Sequence, residues 1–94
     1  MIRSYGDKRT AAFARGERIK DFEAIKRPAR MKLDRLEAAT SLGDLAALPG
    51  NRLEALKGDR KGQWSIRVND RWRVCFAWIE GDRGPSEVEI VDYH

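Results

Sequence analysis

Between residues 64 and 78 the chain alternates apolar and polar side chains twice around one polar break. Trp64, Ile66 and Val68 share one parity, with Ser65 and Arg67 on the other. After Asn69-Asp70 the alternation resumes, with Trp72, Val74, Phe76 and Trp78 on one parity and Arg71, Arg73 and Cys75 on the other. Two such runs around a short break read as a β-hairpin with one apolar face. The register follows from the alternation. A two-residue Asn-Asp turn would oppose Val68 to Arg71 and mix the faces. A three-residue loop, Asn69-Asp70-Arg71, opposes Val68 to Trp72, Ile66 to Val74 and Trp64 to Phe76. It also sets Arg67 directly opposite Arg73, where like charges are destabilising. Either both guanidinium groups splay into water, or an anion sits between them. A phosphate is the simplest such anion, because guanidinium forks match its geometry.

The rest of the chain must supply what the apolar face packs against. Ninety-four residues suit a single domain, residues 1–94. No apolar run is long enough to span a membrane, and MIRSYGDKRT lacks a signal-peptide core. Cys75 is the one cysteine, so an intrachain disulfide is impossible, which fits a cytoplasmic protein. It reads as a structural thiol. One Cys and one His far apart do not make a zinc ligand set, so no metal and no cofactor is expected. The net charge of +4 is unevenly spread: residues 52–73 carry 7 basic and 3 acidic side chains, residues 74–94 carry 1 and 5. A basic excess concentrated on the central stretch favours a polyanionic partner, of which nucleic acid is the commonest.

In chain order, residues 2–5 read as a short strand. Asp7 caps a helix over Lys8 to Arg15, and Gly16 stops it. Ile19 and Phe22 lie in a polar linking segment. Pro28 suits the first turn of a second helix, and Arg27 before it is expected outside helical geometry. Ala29, Leu33, Leu36 and Thr40 form its apolar stripe, while Arg30, Lys32, Asp34, Arg35 and Glu37 form a solvated face. Ser41 caps a short helix through Asp44 to Leu48, ended by Pro49-Gly50-Asn51. Arg52 to Leu56 is a strand. The loop Lys57 to Gly62 has glycines but not the spacing of a phosphate-binding P-loop. GDRGPS then leads to a last strand, Glu87 to Tyr93. The pattern is α+β, with helices packed on one face of a small twisted, antiparallel-rich sheet.

These residues carry a resemblance. NRLEALKGDRKGQWSIRVNDRWRVCF and the terminal DYH resemble the HigB branch of the RelE/ParE-type bacterial toxins, over nearly the whole chain. The most specific parts are LKGDRKG-W-SI-R, the W-R-V-C-F that follows, and DYH. The resemblance implies a RelE-like fold and the toxin of a type II toxin–antitoxin system. Such toxins are ribosome-dependent endoribonucleases (mRNA interferases) of the bacterial cytoplasm. They cut mRNA in the decoding site without a metal: the ribose 2′-hydroxyl attacks the adjacent phosphate, leaving a cyclic phosphate and a free 5′-hydroxyl. The implied partners are the ribosome, mRNA and a helix-turn-helix (HigA-type) antitoxin, with operator DNA reached only through the antitoxin.

Carried over by motif position, Arg73 matches the family's second-strand arginine, suited to stabilising the transition state. Arg67 matches the first-strand arginine, suited to holding a phosphate, and Lys57 the loop lysine. His94, the one histidine, matches the C-terminal histidine and is the natural proton carrier. Tyr93 joins the same site only where the strand frays or twists, since neighbouring strand residues face opposite ways. Lys57, Arg60, Lys61, Arg67 and Arg71 form the candidate RNA-binding set. Trp64 and Trp72 share the apolar parity, which favours core packing over base stacking. The chain departs from some members in one respect: Glu54 stands where they carry a histidine. That excludes a two-histidine acid–base pair and leaves Glu54 as a candidate base or a plain exposed position. Two other readings remain: a ParE-like toxin that poisons DNA gyrase, against which DYH speaks, and a non-catalytic RNA- or ribosome-binding module.

Overall fold

The structure is a computed structural model describing residues 1–92. Its centre is the hairpin that the alternation demands. Strand β2 (Gln63–Arg67) pairs antiparallel with β3 (Trp72–Ala77), setting Trp64 opposite Phe76, Ile66 opposite Val74 and Arg67 opposite Arg73. The three-residue loop closes through Val68, whose N–H donates to the Trp72 carbonyl at 2.9 Å. Asn69 Oδ1 accepts from the N–H groups of Arg71 and Trp72 at 2.9 and 2.8 Å, an Asx arrangement that holds the loop from within.

Strand β4 (Ser86–Asp92) adds antiparallel to β3, and β1 (Glu54–Ala55) to β2, giving the order β1-β2-β3-β4. Val74 faces Ile90 and Arg73 faces Val91, but the register slips by one between Cys75 and Ala77. Glu87, with φ 52°, takes up the extra residue as a bulge. The expected strand over residues 2–5 narrows to a parallel bridge between Tyr5 and Val88. The start of the chain covers the edge of β4: Val88 N–H donates to Ser4 O, Gly6 N–H to Val88 O, and Ile90 N–H to Thr10 Oγ1.

Helix α1 (Lys8–Ala14) is capped as expected: Asp7 Oδ1 accepts from Thr10 N–H at 2.7 Å. Gly16, at φ 96°, ends the turn. The expected linking segment is instead a 3₁₀ turn, Lys20–Ile25, that buries Phe22 and Ile25. It runs directly into α2 (Lys26–Ala38), so Arg27 is helical, contrary to expectation. The clash ahead of a proline disfavours helical geometry without forbidding it, and burial of Phe22 and Ile25 holds the incoming turn in place. Two further corrections concern α2: Thr40 lies beyond its end, and Lys32 is 5% exposed rather than solvated. Helix α3 (Leu42–Ala46) is shorter than expected. Its cap is reciprocal, with Ser41 Oγ accepting from Asp44 N–H while the Asp44 carboxylate accepts from Thr40 N–H and Oγ1. These bonds hold the Asp44 carboxyl below its ordinary pKa.

The helices pack on one face of the sheet. Phe22, Leu36, Ile66, Val74, Phe76, Val88 and Ile90 are fully buried between the layers. Phe22 stacks edge-on against Phe13 at 5.4 Å and against Trp72 at 5.7 Å. Trp64 and Trp72 pack against this cluster, on the side their parity assigned. Among the described residues no helix is long and apolar enough to cross a membrane.

Candidate active site

The strand pairing gathers the polar parity onto the opposite face of the sheet. Glu54 stands opposite Ser65, Ser65 opposite Cys75, Cys75 opposite Glu89, and Arg67 opposite Arg73. Directly opposed residues share a face, so the pairing sets all six side chains on the face away from the helices.

Arg73 is the most firmly held of the cations there. Its Nε donates to Ser65 Oγ at 2.8 Å and its Nη2 to the Arg52 carbonyl at 2.8 Å, and Glu54 Oε2 lies 3.9 Å away. Only 13% of its side chain is exposed. A guanidinium anchored along one edge is fixed in direction before any ligand arrives. Arg67 behaves differently. Its Nη2 pairs with Asp70 of the hairpin loop, a carboxylate that is itself almost wholly exposed. The like-charged pair is therefore accommodated by splaying, each guanidinium turning to its own oxygen partner.

The two ends of the face are also tethered. Arg60, in the 3₁₀ turn Gly58–Arg60, reaches over to Glu89 at 2.9 Å and Gln63 at 3.0 Å. Arg71 grips Asp92 with Nε at 2.8 Å and Nη2 at 2.7 Å, and this bond holds the arginine above its ordinary pKa. Lys57 and Lys61 flank the same turn and are exposed. Of the expected RNA-binding set, then, Lys57 and Lys61 extend into solvent, while Arg60, Arg67 and Arg71 are held by carboxylates.

Beneath this face Cys75 is fully buried, and burial pushes its thiol pKa up. A protonated buried thiol is a poor nucleophile, in keeping with a structural role. Among the described residues no group of three His, Cys, Asp or Glu side chains is placed to hold a metal ion. Tyr93 and His94 lie outside the described residues, and Asp92, held by Arg71, is the last residue before them.

Two contributors were not anticipated from the sequence. Ser65 was legible in principle: its parity places it on the face of Arg73, two residues along the neighbouring strand from the directly opposed Arg67. The Arg52 carbonyl was not. It is presented by a non-glycine residue at φ 44°, a conformation with no signature in the residue type.

Comparison with known proteins follows the same residues. The model of a family described as RelE-like toxin of type II toxin–antitoxin system HigB matches residues 8–94. Toxin HigB-1 of Vibrio cholerae serotype O1 is 50% identical over 50 residues, 53% of each chain. Endoribonuclease HigB of Proteus vulgaris is 42% identical over 67 residues, 67% of this chain and 65% of that one. The matched stretches thus span between about half and two thirds of the length of these curated relatives.

Proposed function

The chain belongs to the RelE-like HigB toxins of type II toxin–antitoxin systems, and from that premise we propose that it is an endoribonuclease that cuts translated mRNA in the decoding site and thereby arrests growth. The observation that carries the reading is the opposed pair Arg67 and Arg73 on the face of the sheet away from the helices, with Arg73 anchored by Ser65 and Arg52. The printed name of the Proteus vulgaris relative supports the same activity.

In the proposed reaction the 2′-oxygen forms a bond to the adjacent phosphorus as the bond from phosphorus to the 5′-oxygen breaks. The 2′-hydroxyl proton passes to a base, and an acid supplies a proton to the departing 5′-oxygen. The products are a 2′,3′-cyclic phosphate and a 5′-hydroxyl. Negative charge builds on the non-bridging oxygens, and a pre-oriented guanidinium stabilises it without reorganising. Arg73 takes that role. Arg67 holds the scissile or a neighbouring phosphate, exchanging Asp70 for a phosphate oxygen; an exposed ion pair contributes only about 0–1 kcal/mol, so it does not block the exchange. Lys57 adds positive charge at the loop. His94 is the proton carrier, histidine being the side chain type suited to both directions of transfer. Tyr93 and Glu54 are the remaining acid–base candidates. Glu54 lies on the outer face with Oε2 3.9 Å from Arg73 Nη2, which supports it as the candidate acceptor of the hydroxyl proton.

The proposed partners are the ribosome and its mRNA, and a helix-turn-helix antitoxin through which operator DNA is reached; the proposed location is the bacterial cytoplasm. Primer extension on a reporter mRNA after brief expression tests the reading, with Arg73→Ala alongside and purified RNA as a control. Discrete in-frame cuts from the wild type only, with naked RNA intact, are expected. Growth arrest without cuts would discard the nuclease reading in favour of gyrase poisoning, and no arrest at all in favour of a binding module.

A further inference from the structure

Lys32 is a buried cation that the proposed chemistry does not use. It sits on α2 among Ala29, Leu33 and Leu36, 5% exposed. A lysine is seldom this deep unless paired. Its partners among the described residues are neutral: the ammonium donates to Asn51 Oδ1 at 2.8 Å and to the Gly50 carbonyl at 3.3 Å. Burial, then Arg35 and Arg67, push its pKa down. An apolar side chain of the same length would fill the space without this burden, but it could not hold two oxygens.

Those oxygens belong to the turn Pro49–Asn51. Asn51 is itself fully buried and donates through Nδ2 to the Leu45 carbonyl at 3.1 Å. The turn is therefore gripped from α2 on one side and α3 on the other. The residue that follows, Arg52, is held at φ 44°, a region that non-glycine residues enter only under constraint. Its carbonyl is the one that receives Arg73 Nη2. From helix layer to outer sheet face the contacts run without a gap: Lys32, Asn51, the Arg52 carbonyl, Arg73.

We propose that Lys32 is a positioning residue for Arg73, its ammonium fixing the turn that makes Arg52 present its carbonyl to the guanidinium. The proposal rests on the catalytic reading of Arg73 given above. Loss of the tie frees the turn to relax towards ordinary backbone angles. Arg73 then keeps Ser65 and the neighbouring Glu54 carboxylate but loses the Arg52 carbonyl, and its Nη2 end shifts.

Lys32→Met, which keeps length and removes the donor, tests this with two readouts. In the free protein, NMR of the Arg73 guanidinium is expected to show shifted Nη2–H resonances and hydrogen exchange there faster by roughly ten-fold or more, while the amide spectrum of the helices stays native. On programmed ribosomes, kcat is expected to fall roughly ten- to a hundred-fold with KM changed by less than about three-fold. In an Arg73→Ala background, Lys32→Met should add less than about two-fold, because both changes act on one contact. Unchanged Arg73 Nη2–H resonances in folded Lys32→Met overturn the proposal, as does a full multiplicative loss in the Arg73→Ala background. If Lys32→Met does not fold, Lys32→Gln, which keeps an uncharged donor but is too short to hold both oxygens, takes its place with the same criteria. Should the wild type prove not to cut RNA, the nuclease reading fails by itself, and the NMR arm still decides whether Lys32 positions Arg73.

Discussion

The two faces of one hairpin are built from neighbouring residues and obey different rules. On the inner face Ile66, Val74 and Phe76 are fully buried against Phe22, Leu36 and Ile90, and what matters there is volume and shape. On the outer face Ser65, Arg67 and Arg73 are interleaved with them along the same strands, and each cation has its own oxygen partner. Changes on the first face should cost stability, and changes on the second should cost chemistry. The inner face makes the outer one possible, since a guanidinium aimed to within a few tenths of an ångström needs a rigid strand beneath it.

The largest expected effect lies inside. Phe76→Ala should lose about 3–5 kcal/mol of stability, read as a large drop in the midpoint of chemical denaturation. A loss under about 1 kcal/mol would mean that the two faces are less distinct than described.

Next come the outward lysines. If Lys57 and Lys61 meet phosphates, alanine at each should weaken ribosome binding and lower the slope of log affinity against log salt by about 0.7, as for single-stranded contacts. Arg60→Ala should leave that slope nearly unchanged, because Glu89 already holds the guanidinium. Equal slopes for all three would show that the tether does not matter.

The smallest effect is a pH dependence remote from both faces. The Asp44 carboxyl is held below its ordinary value by bonds from Thr40 and then Ser41. The unfolded chain therefore binds the proton first as pH falls. The stability this contributes is full above the unfolded value of about 3.9 and is lost as pH drops through the folded one. Asp44→Asn should flatten the decline in denaturation midpoint below about pH 4; an unaltered decline would assign it to other carboxylates.

Period-two alternation made the hairpin legible from the sequence, including the Arg67–Arg73 opposition and the three-residue loop, because a register error by one residue would bury charge. Helical spacing was less decisive. Positions 29, 32, 33 and 36 share one stripe, yet the charge of Lys32 argued for the solvated side; the buried Asn51 that satisfies it comes from a distant turn and left no mark near Lys32. Nor could the residue types show that Arg52 would be held at positive φ, or that a 3₁₀ turn would carry Phe22 into the core. The strand around Glu54 is shorter than the apolar pattern suggested for the same reason, since Arg52 leaves the extended region.

The central claim is that Arg73, anchored on the outer face, stabilises the transition state of RNA cleavage. Single-turnover cleavage of mRNA on programmed ribosomes, with toxin binding measured in parallel, tests it most directly. For Arg73→Ala the rate should fall by roughly 10²–10³-fold, the loss typical of removing one such donor, while ribosome affinity stays within about three-fold. A cleavage rate equal to that of the wild type, or a rate loss matched entirely by lost binding, would contradict the account.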